Sequence, residues 1–151
     1  MRIFLLCLIS AVAFSTSVTA ADDGLISVLS HHDVKTTTDR LVKALDAKGM
    51  TIFARINHSG NAQKVGKELR PTELVIFGNP KIGTPLMQCG QSMAIDLPQK
   101  ALIWEDKAAK VWFSYNDPSY IAQRHNLTKC DDVIKKVQSA LGNFAQVSTK
   151  P

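Results

Sequence analysis

A chain of 151 residues, 45% hydrophobic and 21% charged, has material for one domain with one modest core and not for several. Its formal charge of +5 comes from 18 Lys and Arg scattered among 13 Asp and Glu, without the stripe of like charge that a nucleic-acid partner would need. The chain has no internal repeat and no low-complexity tract.

The first twenty residues carry Arg2, an almost unbroken apolar run from Ile3 to Phe14, and small residues ending Val18-Thr19-Ala20. That order is the charged, hydrophobic and cleavage regions of a secretory signal. The run falls short of the roughly 20 residues that cross a bilayer as a helix. The expectation is removal after Ala20, which leaves a periplasmic or secreted protein without a membrane anchor. Losing Arg2 takes the formal charge from +5 to +4. The remaining chain keeps Cys89 and Cys130, and an oxidising compartment admits either a disulfide or two free thiols.

Leu25 to Leu29 reads as a strand, followed by the polar junction Ser30-His31-His32-Asp33. A helix is expected from Thr37 or Thr38, with Leu41, Val42 and Leu45 on its inner face and Gly49 just past its end. Met50 to Ile56 is a second strand, and a polar turn with a brief helical piece follows, ending near Gly66. Leu74-Val75-Ile76-Phe77 is apolar at every position and is expected in the middle of a sheet. Thr84-Pro85 and Asp117-Pro118 each combine a capping side chain with a preset φ and predict two helix starts.

Ala101 to Trp104 and Val111 to Tyr115 pair as a hairpin across a charged loop. Thr128 and Asp131 make an acidic capping box ahead of the stripe Val133, Ile134, Val137, Leu141 and Phe144. The domain is expected to span residues 21–145, with a loose tail from Gln146. This order of elements predicts an α+β, two-layer sandwich, a mostly antiparallel sheet with helices packed on one face.

Three phrases carry a resemblance: ELRPTELVIFGNPKIGTPLMQ (68–88), IDLPQKALIWED (95–106) and KVWFSYNDPSYIAQRHNL (110–127). They resemble the bacterial and archaeal family called domain of unknown function 302, DUF302, over about His58 to Leu127. The resemblance implies a compact two-layer domain that pairs as a homodimer, and it implies no reaction.

Six residues are candidates for a ligand site: His58, Asn79, Lys81, Thr84, Tyr115 and His125. Asn79, Lys81 and Thr84 flank an expected helix start, whose free N–H groups and partial positive charge suit a small anion. Tyr115 ends a strand and would send its hydroxyl to a pocket. His58 and His125, completed by Asp96 or Asp117, form the candidate for a metal ion. Met87, Cys89 and Met93 are soft ligands that would select Cu(I), although a helix turns Met87 and Cys89 apart. Phosphate-loop, dinucleotide and serine-hydrolase motifs are absent from the sequence.

The chain therefore reads as an exported, non-catalytic binding domain, with ligand and cofactor unknown. Two alternatives stand beside it. One is an enzyme with a histidine base and an anion site, and the other is a structural or partner-binding protein with no pocket.

Overall fold

The computed structural model describes Thr19–Ala20 and residues 23–151. The expected signal segment, apart from Thr19–Ala20, lies outside the described residues. The strands are β1 (Thr19–Ala20), β2 (Leu25–Leu29), β3 (Thr51–Asn57), β4 (Thr72–Gly78), β5 (Gln99–Glu105) and β6 (Val111–Asn116). The helices are α1 (Val34–Ala47), α2 (His58–Lys64), α3 (Pro80–Cys89), α4 (Pro118–Arg124) and α5 (Asp131–Thr149), with a 3₁₀ segment at Gln91–Ile95. The fold is α+β. All neighbours in the sheet are antiparallel, in the order β1-β2-β6-β5-β4-β3.

The alternation of side chains along a strand decides what each face does. Val75 and Phe77 of β4, Ala101 and Ile103 of β5, and Phe113 and Tyr115 of β6 point to one face and are buried. They meet Leu41 and Leu45 of α1 and Ile134, Val137, Leu141 and Phe144 of α5. Phe77 and Phe144 close this core edge to face, with ring centroids 6.0 Å apart. The other face carries Ile56, Leu74, Ile76, Leu102, Trp104 and Trp112, all half-buried.

Several boundaries differ from those read in the sequence. The first helix begins at Val34, because Asp33 caps it by accepting from the Thr36 amide at 2.6 Å. Thr37 and Thr38 lie inside it, buried, with their hydroxyls donated back to the carbonyls of Asp33 and Val34. The β5–β6 hairpin forms as expected and occupies the middle of the sheet, whereas β4 sits one strand in from the β3 edge. Thr84 caps nothing, since α3 already begins at Pro80 behind Asn79.

The tail expected to be loose from Gln146 is instead the last turn of α5. Ser148 and Thr149 are buried. The Arg40 guanidinium donates to the carbonyls of Val147 (3.0 Å) and Lys150 (2.8 Å), and the His31 amide donates to Thr149. A cation against the unpaired carbonyls of a helix C-terminus is favourable, so a group more than a hundred residues away ends this helix. Sequence-local signals could not supply it.

Cys89, closing α3, and Cys130, preceding α5, form a disulfide with 6.3 Å between Cα atoms and a sequence separation of 41. In the chain-entropy model, closing a loop of that length restricts the unfolded state by about 4 kcal/mol.

Phe77 lies at the junction of sheet and α5, so Phe77→Ala is expected to lower unfolding free energy by about 3–5 kcal/mol. Urea denaturation reads this directly. A loss under about 1 kcal/mol would mean that the core is not centred there.

Candidate functional site

β4 and β5 are adjacent and antiparallel, yet the chain does not turn tightly between them. Residues Asn79–Pro98 leave the sheet as α3 and the 3₁₀ segment before returning at Gln99, which pairs with Phe77. Beneath this excursion lies a cavity of about 300 Å³. Val137, Ala140, Leu141 and Phe144 of α5 form its floor, and Ile82, Leu86, Met87, Ala94, Leu97 and Pro98 form its flap. Phe53 closes one side, as the extra residue of a bulge where the β3–β4 register shifts between Ile52 and Ala54. The only side chains of the lining that offer hydrogen bonds are Asn79, Thr84 and Gln99.

The six candidate residues do not converge. Asn79 and Thr84 line the cavity. Lys81 stands on α3 between two lining residues but is itself exposed. The expected anion site at this helix start is occupied by the chain's own Asn79: its side chain accepts from the Lys81 amide at 2.9 Å, and its carbonyl accepts from the amides of Ile82 and Gly83. Pro80 has no N–H to offer.

Tyr115 is in the core, its ring 6.1 Å from that of Phe113. Burial pushes its phenol up, and the Asp117 carboxylate adds to that. Asp117 caps α4. Burial opposes its ionisation, but hydrogen bonds from the Ser119 hydroxyl and amide and from Gln138 outweigh this and hold the carboxyl below its ordinary range.

His58 and His125 lie at opposite ends of the sheet. His58 opens α2 directly after Asn57, which pairs with Glu73 at the start of β4. His125 follows α4 and bonds Asp96, just ahead of the β5 residue that pairs with Phe77 near the end of β4. Four residues of rise separate those two ends, about 13 Å along the strand. The two-histidine metal site is therefore not formed. Among the described residues, no group of three or more His, Cys, Asp or Glu could hold a metal ion. Cys89 is committed to its disulfide and Met93 is core, so the sulfur ligands do not gather either.

His125 nevertheless has company. Its Nε2 lies 2.6 Å from Asp96 Oδ2 and its Nδ1 lies 3.0 Å from the Ser92 hydroxyl, while Arg124 donates to Asp96 Oδ1 at 3.0 Å. The ring is largely buried, with 8% of its side-chain surface exposed. Ser92 and Asp96 belong to the excursion, whereas Arg124 and His125 end α4. The cluster therefore ties one to the other. None of its members lines the cavity.

A second, polar cleft of about 600 Å³ lies at the His58 end, lined by Lys35, Arg55, Asn57, Ser59, Thr72 and Glu73 among others. Its charges are already matched: Arg55 donates to Glu73 at 2.6 Å and to Asp39, which also accepts from Lys35. Hydrogen bonds from Lys35 and Arg55 hold the Asp39 carboxyl below its usual range.

Sequence reasoning missed most of the cavity, because Met87, Ala140 and Leu141 look like ordinary core residues. A signal was present in the long stretch between two strands, where a hairpin turn would have sufficed.

The chain is 46% identical over 126 residues to a protein of Brucella suis biovar 1 (strain 1330) named fluoride-specific ion channel FluC 1, a match covering 83% of this chain and 50% of that protein. It is equally similar to fluoride-specific ion channel FluC 2 of Brucella melitensis biotype 1, covering 47% of that protein. The chain thus spans about half the length of the curated relatives it matches. No helix among the described residues is long and apolar enough to cross a membrane. In three dimensions the chain is similar to the crystal structure of an uncharacterized conserved protein, DUF302, from Bacillus stearothermophilus. The TM-score is 0.75 at 13% identity, covering 83% of this chain and 98% of that one, a likeness of fold. The family model described as domain of unknown function DUF302 matches residues 26–144, and the chain belongs to that family.

Proposed function

We propose that this protein is an exported, non-catalytic binding domain whose ligand is a small, mainly apolar molecule held between α5 and the Asn79–Pro98 excursion. The cavity carries this reading: its volume of about 300 Å³ lies at the small end of ligand pockets, and its lining is apolar with a few polar groups. Thr84 and Gln99 would orient one polar end of the ligand, and apolar burial would supply the affinity, at about 25 cal/mol per Å². The alternative of an enzyme with His125 as base finds support in the Ser92–His125–Asp96 chain. The binding reading is preferred because those side chains do not line the cavity.

An uncharged fluorescent dye such as N-phenyl-1-naphthylamine is expected to bind the folded protein in the micromolar range, near −8 kcal/mol. Ala140→Trp, which fills the cavity from its floor, should weaken binding at least tenfold and leave the far-ultraviolet circular dichroism unchanged. Equal affinity in the folded variant would remove the cavity as the site.

Export is part of the same proposal, with the mature chain beginning at Ala21. Cleavage there would remove β1, and β2 would keep its five register pairs with β6. Intact-mass measurement of the protein fractionated from its bacterial host is expected to show that N-terminus. Soluble cytoplasmic protein retaining Met1 would contradict it.

The half-buried outer face of the sheet supports a homodimer. Its polar atoms are satisfied within the chain: Trp104 donates to Ser114 Oγ, which also bonds Ser27, and the Lys100 ammonium donates to the carbonyls of Asp96 and Pro98. Such a face can lose water at little cost. Analytical ultracentrifugation at micromolar concentration should find a dimer that Leu74→Asp converts to a folded monomer. A monomeric wild type would defeat this part of the proposal.

A segment matching this chain makes up about half the length of the relatives named as fluoride-specific ion channels. Channel activity belongs to the name of the whole relative.

A further inference from the structure

The flap of the cavity is fastened at one end by a bond that chemistry can open. Cys89 ends α3 and Cys130 immediately precedes α5, so the disulfide joins flap to floor. Both cysteines are half-buried. Around the disulfide, the flap touches α4 and the chain that follows it through few groups. Leu127 packs onto Gly90 so closely that a Cβ there would lie 2.4 Å from Leu127 Cδ2. Asp96 and Ser92 reach Arg124 and His125. On the flap, Leu86 and Met93 are the side chains fully buried in the core. The sheet depends on none of this, since β4 and β5 pair with each other from Thr72↔Trp104 to Phe77↔Gln99 and β5 pairs with β6. Opening the disulfide therefore removes the one covalent fastening of the flap while the sheet keeps its ladder.

We propose that Cys89–Cys130 is a thiol-exchange site that controls the ligand cavity: oxidised, it holds the flap down on α5, and reduced, it lets the flap lift and the ligand leave. This rests on the cavity as the ligand site. The reductant is a dithiol, small or borne on a protein. One of its thiolates attacks a sulfur of the disulfide, forming a mixed disulfide and releasing the other cysteine as a thiolate that takes up a proton. The second thiolate of the reductant then displaces the remaining cysteine. The protein gains two electrons and two protons as two thiols, and the reductant leaves as its own disulfide. Release needs the flap to open locally and the rest of the domain to remain folded, as low-stability segments do elsewhere.

The test compares oxidised protein, protein reduced with dithiothreitol, and the Cys89→Ala/Cys130→Ala variant, using hydrogen exchange by mass spectrometry and titration with the same apolar dye. Reduction is expected to speed exchange in peptides covering Asn79–Pro98 at least tenfold, leave the β5–β6 hairpin peptides unchanged, and weaken dye binding at least fivefold. The double variant should behave as the reduced protein does and ignore dithiothreitol. Should that variant fail to fold, stepwise reduction of wild type gives the same readouts. Equal flap exchange in both redox states overturns the proposal. Loss of protection across the whole domain at once also overturns it, since the disulfide would then serve global stability alone. Equal dye affinity in the two states defeats the gating and spares the cavity. An oxidised protein that binds no dye defeats the cavity reading and the gating together.

Discussion

The packing of the Asn79–Pro98 excursion against α5 is the constraint on which the candidate site depends. Antiparallel neighbours such as β4 and β5 can be joined by a few residues. Here the chain instead spends two helical pieces outside the sheet, and their apolar side chains must be covered. Leu86 and Met93 are covered fully, and Met87, Ala94 and Leu97 cover a space instead of filling it. The space is open on one side, so its apolar lining faces water and lacks the contacts that a packed interior would give it. A ligand would restore those contacts, which is the physical basis for reading the space as a site.

Polar groups around the fold are handled differently from apolar ones. At the start of α3, Asn79 answers the amides that a bound anion would otherwise take. At the far cleft, Arg55 meets Glu73 and Asp39. At the end of α5, Arg40 closes the carbonyls. These groups find partners within the chain, whereas the apolar lining of the cavity does not.

Much of the fold was legible because local signals and tertiary packing agree. The β5–β6 hairpin, the α5 stripe and the cap at Asp117 all follow from spacing that folding only had to preserve. The boundaries that shifted are those set by distant groups, as with Arg40 on the last turn of α5, or by a stronger cap upstream, as with Asp33 and Asn79. The site was less legible. Asn79 and Thr84 reach the cavity, but for a reason unrelated to anion binding, and Tyr115 was needed by the core. His125 does meet Asp96, one of the two carboxylates considered for it, and the partner His58 is held away by sheet register. A cavity arises from what side chains fail to fill, and neither composition nor periodicity encodes that directly. The disulfide is a similar case, because two cysteines 41 residues apart say nothing of their approach until the flap is folded onto α5.

The most direct test of a ligand site under the flap is residue-level mapping by nuclear magnetic resonance. Methyl-labelled oxidised protein would be titrated with a short-chain aliphatic alcohol small enough for a cavity of about 300 Å³. Saturable shifts confined to Ile82, Leu86, Met87, Val137 and Leu141, with Ile56, Leu74 and Leu102 on the outer face unmoved, are the predicted result. Shifts centred on the outer sheet face, or none that saturate around α3 and α5, would contradict it.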